Sequence, residues 1–268
     1  MSIFFVGGMA MFMEERHRHI EKLLRESGKI AVAEITQAFG VSEESARRDL
    51  RILEGKGLCK RTHGGAILPQ KVGIRPPANR NYAEMPIFPT YREIARTAAG
   101  EIGEGDTVYL CGGSFGYIMA DFLPREFRYT LVCNSLDIAQ KLREFDNMEV
   151  YLAGGRMRQS GSMVDSFATA FVKNLHFDLC FLTGAGVTAA FGLSNGTDET
   201  ATFQRAVMEN SRRKLLLMPG SKVGQNGFVK VCDAADFDRI ITDWECLEEE
   251  IVALSELGPD VTRVEEPK

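Results

Sequence analysis

VSEESARRDLRILEGKGLCKRTHGGA, residues 41–66, is the stretch from which the rest of the chain can be read. Within it Ala46, Leu50 and Leu53 recur at i, i+4 and i+7, which predicts a helix with these three facing inward. At about 100° per residue, Arg48 and Arg51 fall roughly opposite that seam and Arg47 on its flank. Ser42 is placed as the N-cap, its hydroxyl able to accept a backbone N–H, and Glu43 and Glu44 sit in the first turn where negative charge suits the helix dipole. Upstream, Ile20, Leu23 and Leu24 predict a helix closed by Gly28, and Ile35, Ala38 and Phe39 a shorter one that stops at Gly40. Two short helices joined by a tight turn, the second exposing arginines, form a helix-turn-helix whose second helix fits a DNA major groove. There an arginine can contact phosphate or guanine. Downstream of Gly55 and Gly57, residues 58–61 and 66–68 flank a turn at 62–65 and predict a β-hairpin wing, with Lys60, Arg61 and His63 at its rim.

Charge supports a local anion-contacting surface and argues against a global one. The 268 residues carry 32 Lys plus Arg against 37 Asp plus Glu, a net of −5, so a uniform positive coat is absent. Residues 13–68 nevertheless hold eleven basic against nine acidic side chains, and within 47–61 six basic side chains face only Asp49 and Glu54. A basic stretch inside an acidic protein is what phosphate contact requires. With 44% hydrophobic and 26% charged residues, the composition excludes a disordered chain and a disulfide-stapled miniprotein. The six cysteines (59, 111, 133, 180, 232 and 246) include no pair two or three apart, which argues against structural zinc and for reduced thiols; no cofactor and no metal site are expected. The first thirteen residues lack charge but are too short to span a bilayer and do not have the form of a secretory signal. The expectation is a disordered leader over 1–12 and a cytoplasmic protein without membrane contact.

Beyond the expected DNA-binding domain (13–68), prolines 69, 76, 77, 86 and 89 predict a semi-extended connector over 69–92. A helix through Ile94, Ala95, Ala98 and Ile102 then opens a domain over 93–268. Apolar runs at 107–111, 130–133, 150–153, 179–183, 214–218 and 239–242 alternate with helical stretches and end in small residues. That alternation predicts an α/β domain with a mostly parallel sheet covered on both faces, whose ligand site lies beyond the strands' carboxyl ends. Glycines there let backbone N–H groups approach a phosphate; Ser114, Asn134 and Ser135 add neutral hydrogen bonds, and Lys222 adds a charge.

The N-terminal run resembles the DNA-binding domain of DeoR-type bacterial transcriptional regulators. The resemblance rests on Val41-Ser42, Arg47-Arg48-Asp49-Leu50, Leu53-Glu54, Gly57-Leu58 and His63-Gly64-Gly65-Ala66, with Ser45, Ala46 and Gly55 departing from the usual residues. The candidate DNA-contacting set is Ser42, Glu44, Ser45, Arg47, Arg48, Arg51, Lys60, Arg61 and His63. The remainder is similar to the same family's sensor domain, related in fold to ribose-5-phosphate isomerase and responsive to sugar phosphates. The carrying residues are Gly113-Ser114, Asn134-Ser135, Gly154-Gly155, Gly184, Gly186-Val187, Gly192-Leu193, Arg205-Ala206, Ser221-Lys222 and Ile240-Ile241-Thr242-Asp243. This resemblance implies effector contacts at Gly113, Ser114, Asn134, Ser135, Gly154, Gly155 and Lys222. Where the family has aspartate, threonine, aspartate and glutamate, this chain has Cys111, Phe115, Pro219 and Thr200, which implies an altered effector or a lost response. Phe115 is open to two readings, packing or ligand stacking.

Together these features imply a repressor of a carbohydrate-metabolism operon, controlled by a phosphorylated sugar. It would bind double-stranded operator DNA as a homo-oligomer, dimer or tetramer. The competing readings are a sugar-phosphate isomerase-like enzyme, for which Asp165, Asp198 and Glu199 are the candidate carboxylates, and a regulator switched by redox or protein contact at Cys111 or Cys133.

Overall fold

The structure is a computed structural model that describes residues 12–69 and 87–267. The expected leader, Phe12 apart, and residues 70–86 of the expected connector lie outside the described residues. The chain divides into two compact units between residues 71 and 72.

In the N-terminal unit α1 (Met13–Ser27) ends at Gly28, whose φ of 78° lets its N–H reach the carbonyl of Leu24. A strand, β1 (Lys29–Ala31), leads into α2 (Val32–Phe39), which stops at Gly40. Ser42 caps α3 (Glu43–Gly55), its hydroxyl oxygen accepting the N–H of Ser45 at 3.2 Å. Ala46, Leu50 and Leu53 are buried as expected, against Ile20, Leu24 and Ile35. Two helical stripes differ from expectation: Leu23 is exposed, and α2 turns Val32, Ile35 and Phe39 inward while Ala38 faces out. The expected hairpin is β2 (Lys60–Thr62) with β3 (Gly65–Ile67), but the unanticipated β1 pairs with the other side of β3. Gly65 is needed there, because a Cβ would stand 2.0 Å from the carbonyl oxygen of Ile30.

A buried ionic cluster ties α1 to α3. Asp49 is 2% exposed and receives Arg16 Nε at 2.6 Å, Arg16 Nη2 at 3.0 Å and His17 Nε2 at 2.9 Å. Burial by itself would raise the Asp49 carboxyl; the hydrogen bonds from Arg16 and His17 outweigh it and hold the group below the usual carboxylate range.

The C-terminal unit opens with α4 (Pro89–Ala99), which starts five residues before Ile94, the first apolar position of the expected helix. Pro89 does not extend the connector; it occupies the first helical turn, where no N–H is required. Strands β4 (Thr107–Leu110), β5 (Tyr129–Cys133), β6 (Met148–Leu152), β7 (Phe177–Leu182), β10 (Ser211–Leu217), β12 (Arg239–Thr242) and β13 (Asp260–Arg263) form one parallel sheet, in the order β13-β12-β10-β7-β4-β5-β6. Its central strands are apolar on both faces, since helices α5 (Ser114–Met119), α6 (Leu136–Leu142), α7 (Ser166–Val172), α8 (Asp198–Glu209) and α9 (Glu248–Ser255) join them. A second, antiparallel sheet is built from β8 (Gly186–Thr188), β9 (Gly192–Asn195) and β11 (Val229–Cys232). The α/β architecture with a mostly parallel sheet is therefore the expected one, with this small sheet and β13 added. Glu101, just beyond α4, ties that helix to the sheet through Arg213, at 2.6 Å, and Arg239.

Asp49→Asn removes the charge that neutralises Arg16 and is expected to destabilise the N-terminal unit by about 3 kcal/mol, read as faster amide exchange in α1 and α3. Because the folded Asp49 carboxyl lies below its unfolded value of about 3.9, its contribution is fully present above that pH and is lost as the pH falls through the folded value. The wild type should lose protection in α3 on acidification below pH ~4, and Asp49→Asn should show a shallower acid dependence.

Candidate functional site

Two clusters of polar chemistry stand out, one in each unit. On α3, Arg48 and Arg51 are exposed on the face away from the Ala46–Leu50–Leu53 seam, and among the described residues neither has a hydrogen-bond or ion-pair partner. Arg47 is also exposed, but donates to the carbonyl of His63 at 3.2 Å and lies 3.8 Å from Glu43. Glu44 and His63 are exposed, whereas Ser42 and Ser45 are engaged in the helix cap, their hydroxyls 3.0 Å apart. Lys60 is half-buried. Arg61 differs from the rim cation read in the sequence: its Nε meets Glu54 at 2.6 Å with the side chain only 15% exposed, so it clamps the wing to α3. Arg16, His17 and Asp49 were not recognised from sequence, although they fix the helix that carries Arg48 and Arg51.

In the C-terminal unit the chain runs from β4 outward to β5 and β6, then returns to β7 on the other side of β4. That reversal opens a crevice at the carboxyl ends of the strands, the usual ligand position in such sheets. A cavity of about 90 Å³ lies there, lined by Tyr109, Cys111, Gly112, Gly113, Asn134, Arg158, Ser162, Val164, Thr200, Phe203 and Gln204. Of the expected effector residues, Gly113 and Asn134 stand on its wall. Gly113 has φ 114°, which a side chain would strain, and it leads directly into α5.

Asn134 makes three hydrogen bonds within the protein. Its Oδ1 accepts from the Tyr109 hydroxyl and the Gly112 N–H, each at 3.0 Å, and its Nδ2 donates to the carbonyl of Met163 at 2.9 Å. It therefore positions the loop after β4. Ser135 is buried with its hydroxyl unpartnered, and Ser114 is half-buried at the start of α5. Gly154 and Gly155 lie on an exposed loop, where a Cβ at Gly155 would stand 2.2 Å from Asp165 Oδ1. Lys222 sits in the turn after β10, its Nζ 3.4 Å from the carbonyl of Gly184. None of these five lines the cavity.

Arg158 and Gln204 are among the wall residues that were not anticipated. Arg158 donates to Thr200 Oγ1 at 3.0 Å and to a carboxylate oxygen of Glu199. Gln204 receives Asn195 and donates to the carbonyl of Thr183 at 2.8 Å. The available signal was the pair of cations, Arg156 and Arg158, in a glycine-led loop directly after a strand.

Phe115 is buried and stacks on Tyr91 of α4, ring centroids 4.6 Å apart and 16° from parallel, so packing is the reading the structure supports. Burial pushes the Cys111 thiol up to about 12 and the Cys133 thiol up to about 11, so both are protonated at neutral pH and poor nucleophiles. Among the described residues no carboxylate lines the cavity. Asp165 caps α7 through the Ala168 N–H and also accepts from the Arg156 N–H, and these backbone donors hold its carboxyl below the usual range. Among the described residues no His, Cys, Asp and Glu group could hold a metal ion, and no helix is long and apolar enough to cross a membrane.

Comparison with known proteins bears on both clusters. The DeoR-like helix-turn-helix domain matches residues 16–72, and the DeoR C terminal sensor domain matches residues 90–244. The chain is 32% identical to the HTH-type transcriptional regulator GlpR of Haloferax volcanii over 236 residues, covering 87% of this chain and 91% of that protein. It is 28% identical to the glycerol-3-phosphate regulon repressor of Escherichia coli, covering 87% of this chain and 92% of that one. The lactose phosphotransferase system repressor of Staphylococcus aureus is 30% identical over 88% of this chain and 94% of its own length. A solved ribose 5-phosphate isomerase A of Methanocaldococcus jannaschii superposes with a TM-score of 0.37 at 14% identity, over 49% of this chain and 52% of that one, too slight a likeness to speak for fold or activity. With both parts matched in order and the sensor family alone spanning more than half its length, the chain belongs to the DeoR family of helix-turn-helix transcriptional regulators.

Proposed function

We propose that this regulator represses a carbohydrate-use operon in the cytoplasm, reading its operator through α3 and the wing and releasing it when a phosphorylated sugar or polyol enters the cavity beyond β4. The observation that carries the DNA half is the pair of unpartnered guanidiniums, Arg48 and Arg51, on a helix whose opposite side is locked by Asp49. Rigid presentation of two cations on one helix face suits a groove lined by phosphates. Two relatives are named as repressors, one of a glycerol-3-phosphate regulon and one of a lactose phosphotransferase system, which supports a phosphorylated carbohydrate as the signal.

A homo-oligomer follows from the same logic. Two half-sites about one helical turn apart need two heads, and a small change in their spacing abolishes simultaneous docking. The edge strand β6 supports such pairing, since Val150, Tyr151 and Leu152 are exposed beside an unpaired backbone edge. The enzyme reading lacks support. Isomerisation needs a base within reach of the substrate carbon, and the cavity wall offers a protonated Cys111 thiol and no carboxylate.

Arg48→Ala and Arg51→Ala are each expected to weaken binding to DNA from upstream of the gene by about 1–3 kcal/mol and to lower the salt slope by about 1. Fluorescence anisotropy between low and physiological salt measures both, and retention unchanged in either variant sinks the α3 assignment. A melting screen over sugar and polyol phosphates should reveal a ligand that stabilises the C-terminal unit by about 2.7 kcal/mol at a hundred times its dissociation constant and releases DNA over the same range. If no phosphate shifts the melt while DNA binding persists, the response to a phosphorylated metabolite is disproved.

A further inference from the structure

Among the described residues Arg158 is the one full cation on the cavity wall. Its side chain is 15% exposed and crosses from the loop after β6 to the first turn of α8, where it holds Glu199 and Thr200. Glu199 is shared: its other oxygen receives Arg156 Nη2 at 2.9 Å. Two guanidiniums thus converge on one carboxylate that is itself 42% exposed, next to a hollow edged by the backbone of Gly112 and Gly113. Asp165 instead accepts the N–H groups of Arg156 and Ala168, and no ion pair joins it to Arg158 among the described residues.

Arg158 meets Glu199 through one terminal nitrogen and Thr200 through the other, and a phosphate dianion can accept from the same guanidinium and compete with the carboxylate for it. The hollow of about 90 Å³ has room for a phosphoryl group. Thr200 at its rim adds a hydroxyl that remains hydrogen-bonded to Arg158.

We propose that Arg158 is the anion-gripping residue of this cavity and Glu199 its built-in competitor, so that a phosphate monoester binds by taking Glu199's place on the Arg158 guanidinium. The proposal rests on the reading of the cavity as the effector site and names the group that selects the ligand class there. Displacement frees Glu199 and leaves it to Arg156, so occupancy of the cavity is felt by the β6–α7 loop and the α8 N-terminus together. Affinity is then set by a contest between two anions for one cation.

The test is calorimetric titration of the full-length protein with inorganic phosphate, glycerol 3-phosphate, ribose 5-phosphate and fructose 6-phosphate. It compares wild type with Arg158→Met, Glu199→Gln and the double variant, with melting and DNA retention as checks of folding. The expected result is at least about tenfold weaker binding in Arg158→Met, the loss of one charge-assisted hydrogen bond. Glu199→Gln should bind several-fold tighter than wild type, and that gain should vanish in the double variant. Equal affinity of wild type and Arg158→Met for a probe overturns the assignment and leaves the effector reading standing. Weaker binding in Glu199→Gln makes Glu199 a ligand contact and overturns the competitor. Should neither wild type nor Glu199→Gln bind any of the four probes while DNA retention persists, the effector reading falls and takes this assignment with it.

Discussion

A carboxylate buried between an arginine and a histidine sets the geometry of the DNA-binding unit. Asp49 sits one residue from Arg48 and two from Arg51, so the helical turn that points its carboxyl inward points those two guanidiniums outward. Arg16 and His17 supply three donors from α1, and no other rotation of α3 about its axis satisfies them. Against a well-packed apolar replacement such a buried pair adds little net stability, since desolvation offsets its attraction. Its effect is on orientation. The apolar seam of Ala46, Leu50 and Leu53 tolerates some sliding against Ile20 and Leu24, and bidentate ion pairing does not.

The C-terminal unit obeys a different constraint. Parallel strands bring every strand-to-helix loop to one edge of the sheet, and the reversal of chain direction beside β4 leaves a crevice there. Asn134 holds the crevice open in a fixed shape by joining β4, the Gly112 loop and the segment at Met163 through three hydrogen bonds. Phe115 carries that shape further, because its ring lies on Tyr91 in the first helix after the connector. Where the resemblance implies a threonine suited to a ligand, this chain has a ring that packs the loop onto α4. The departure trades a polar contact for mechanical continuity between the loop and the helix.

The elements legible in the sequence were those whose signal is local. The α3 seam shows at i, i+4 and i+7, and β4, β5, β7, β10 and β12 show as apolar runs that end in small or polar turn residues. Strands β1, β8, β9 and β13 were not legible, because they are short and their apolar content is interrupted by glycine or polar residues; their pairing partners supply the order. The Asp49 cluster joins residues thirty-three apart, and Arg158 meets α8 forty-two residues on, separations no periodicity reports. The part Asn134 plays in holding the loop after β4 was hidden for the same reason. Its Oδ1 accepts from Tyr109 and Gly112 and its Nδ2 donates to Met163, partners that only the folded sheet brings within reach. Leu23 and Ala38 show the converse error, apolar residues near a stripe that the packed helices leave outside.

Two of the arginine–carboxylate contacts, Arg16 with Asp49 and Arg158 with Glu199, differ in a way that assigns them different work. Asp49 is shut away from water, so no solvent molecule or passing anion can replace it on Arg16, and separating the pair leaves a buried charge uncompensated. Glu199 is nearly half exposed, already divided between two guanidiniums, and water can take up either of its oxygens when it leaves. Desolvation makes the first contact permanent and fixes the aim of α3. Hydration makes the second exchangeable at small cost, which is the property a site needs if a dissolved anion is to enter and leave. Burial, more than the identity of the charged residues, separates scaffold from switch in this protein.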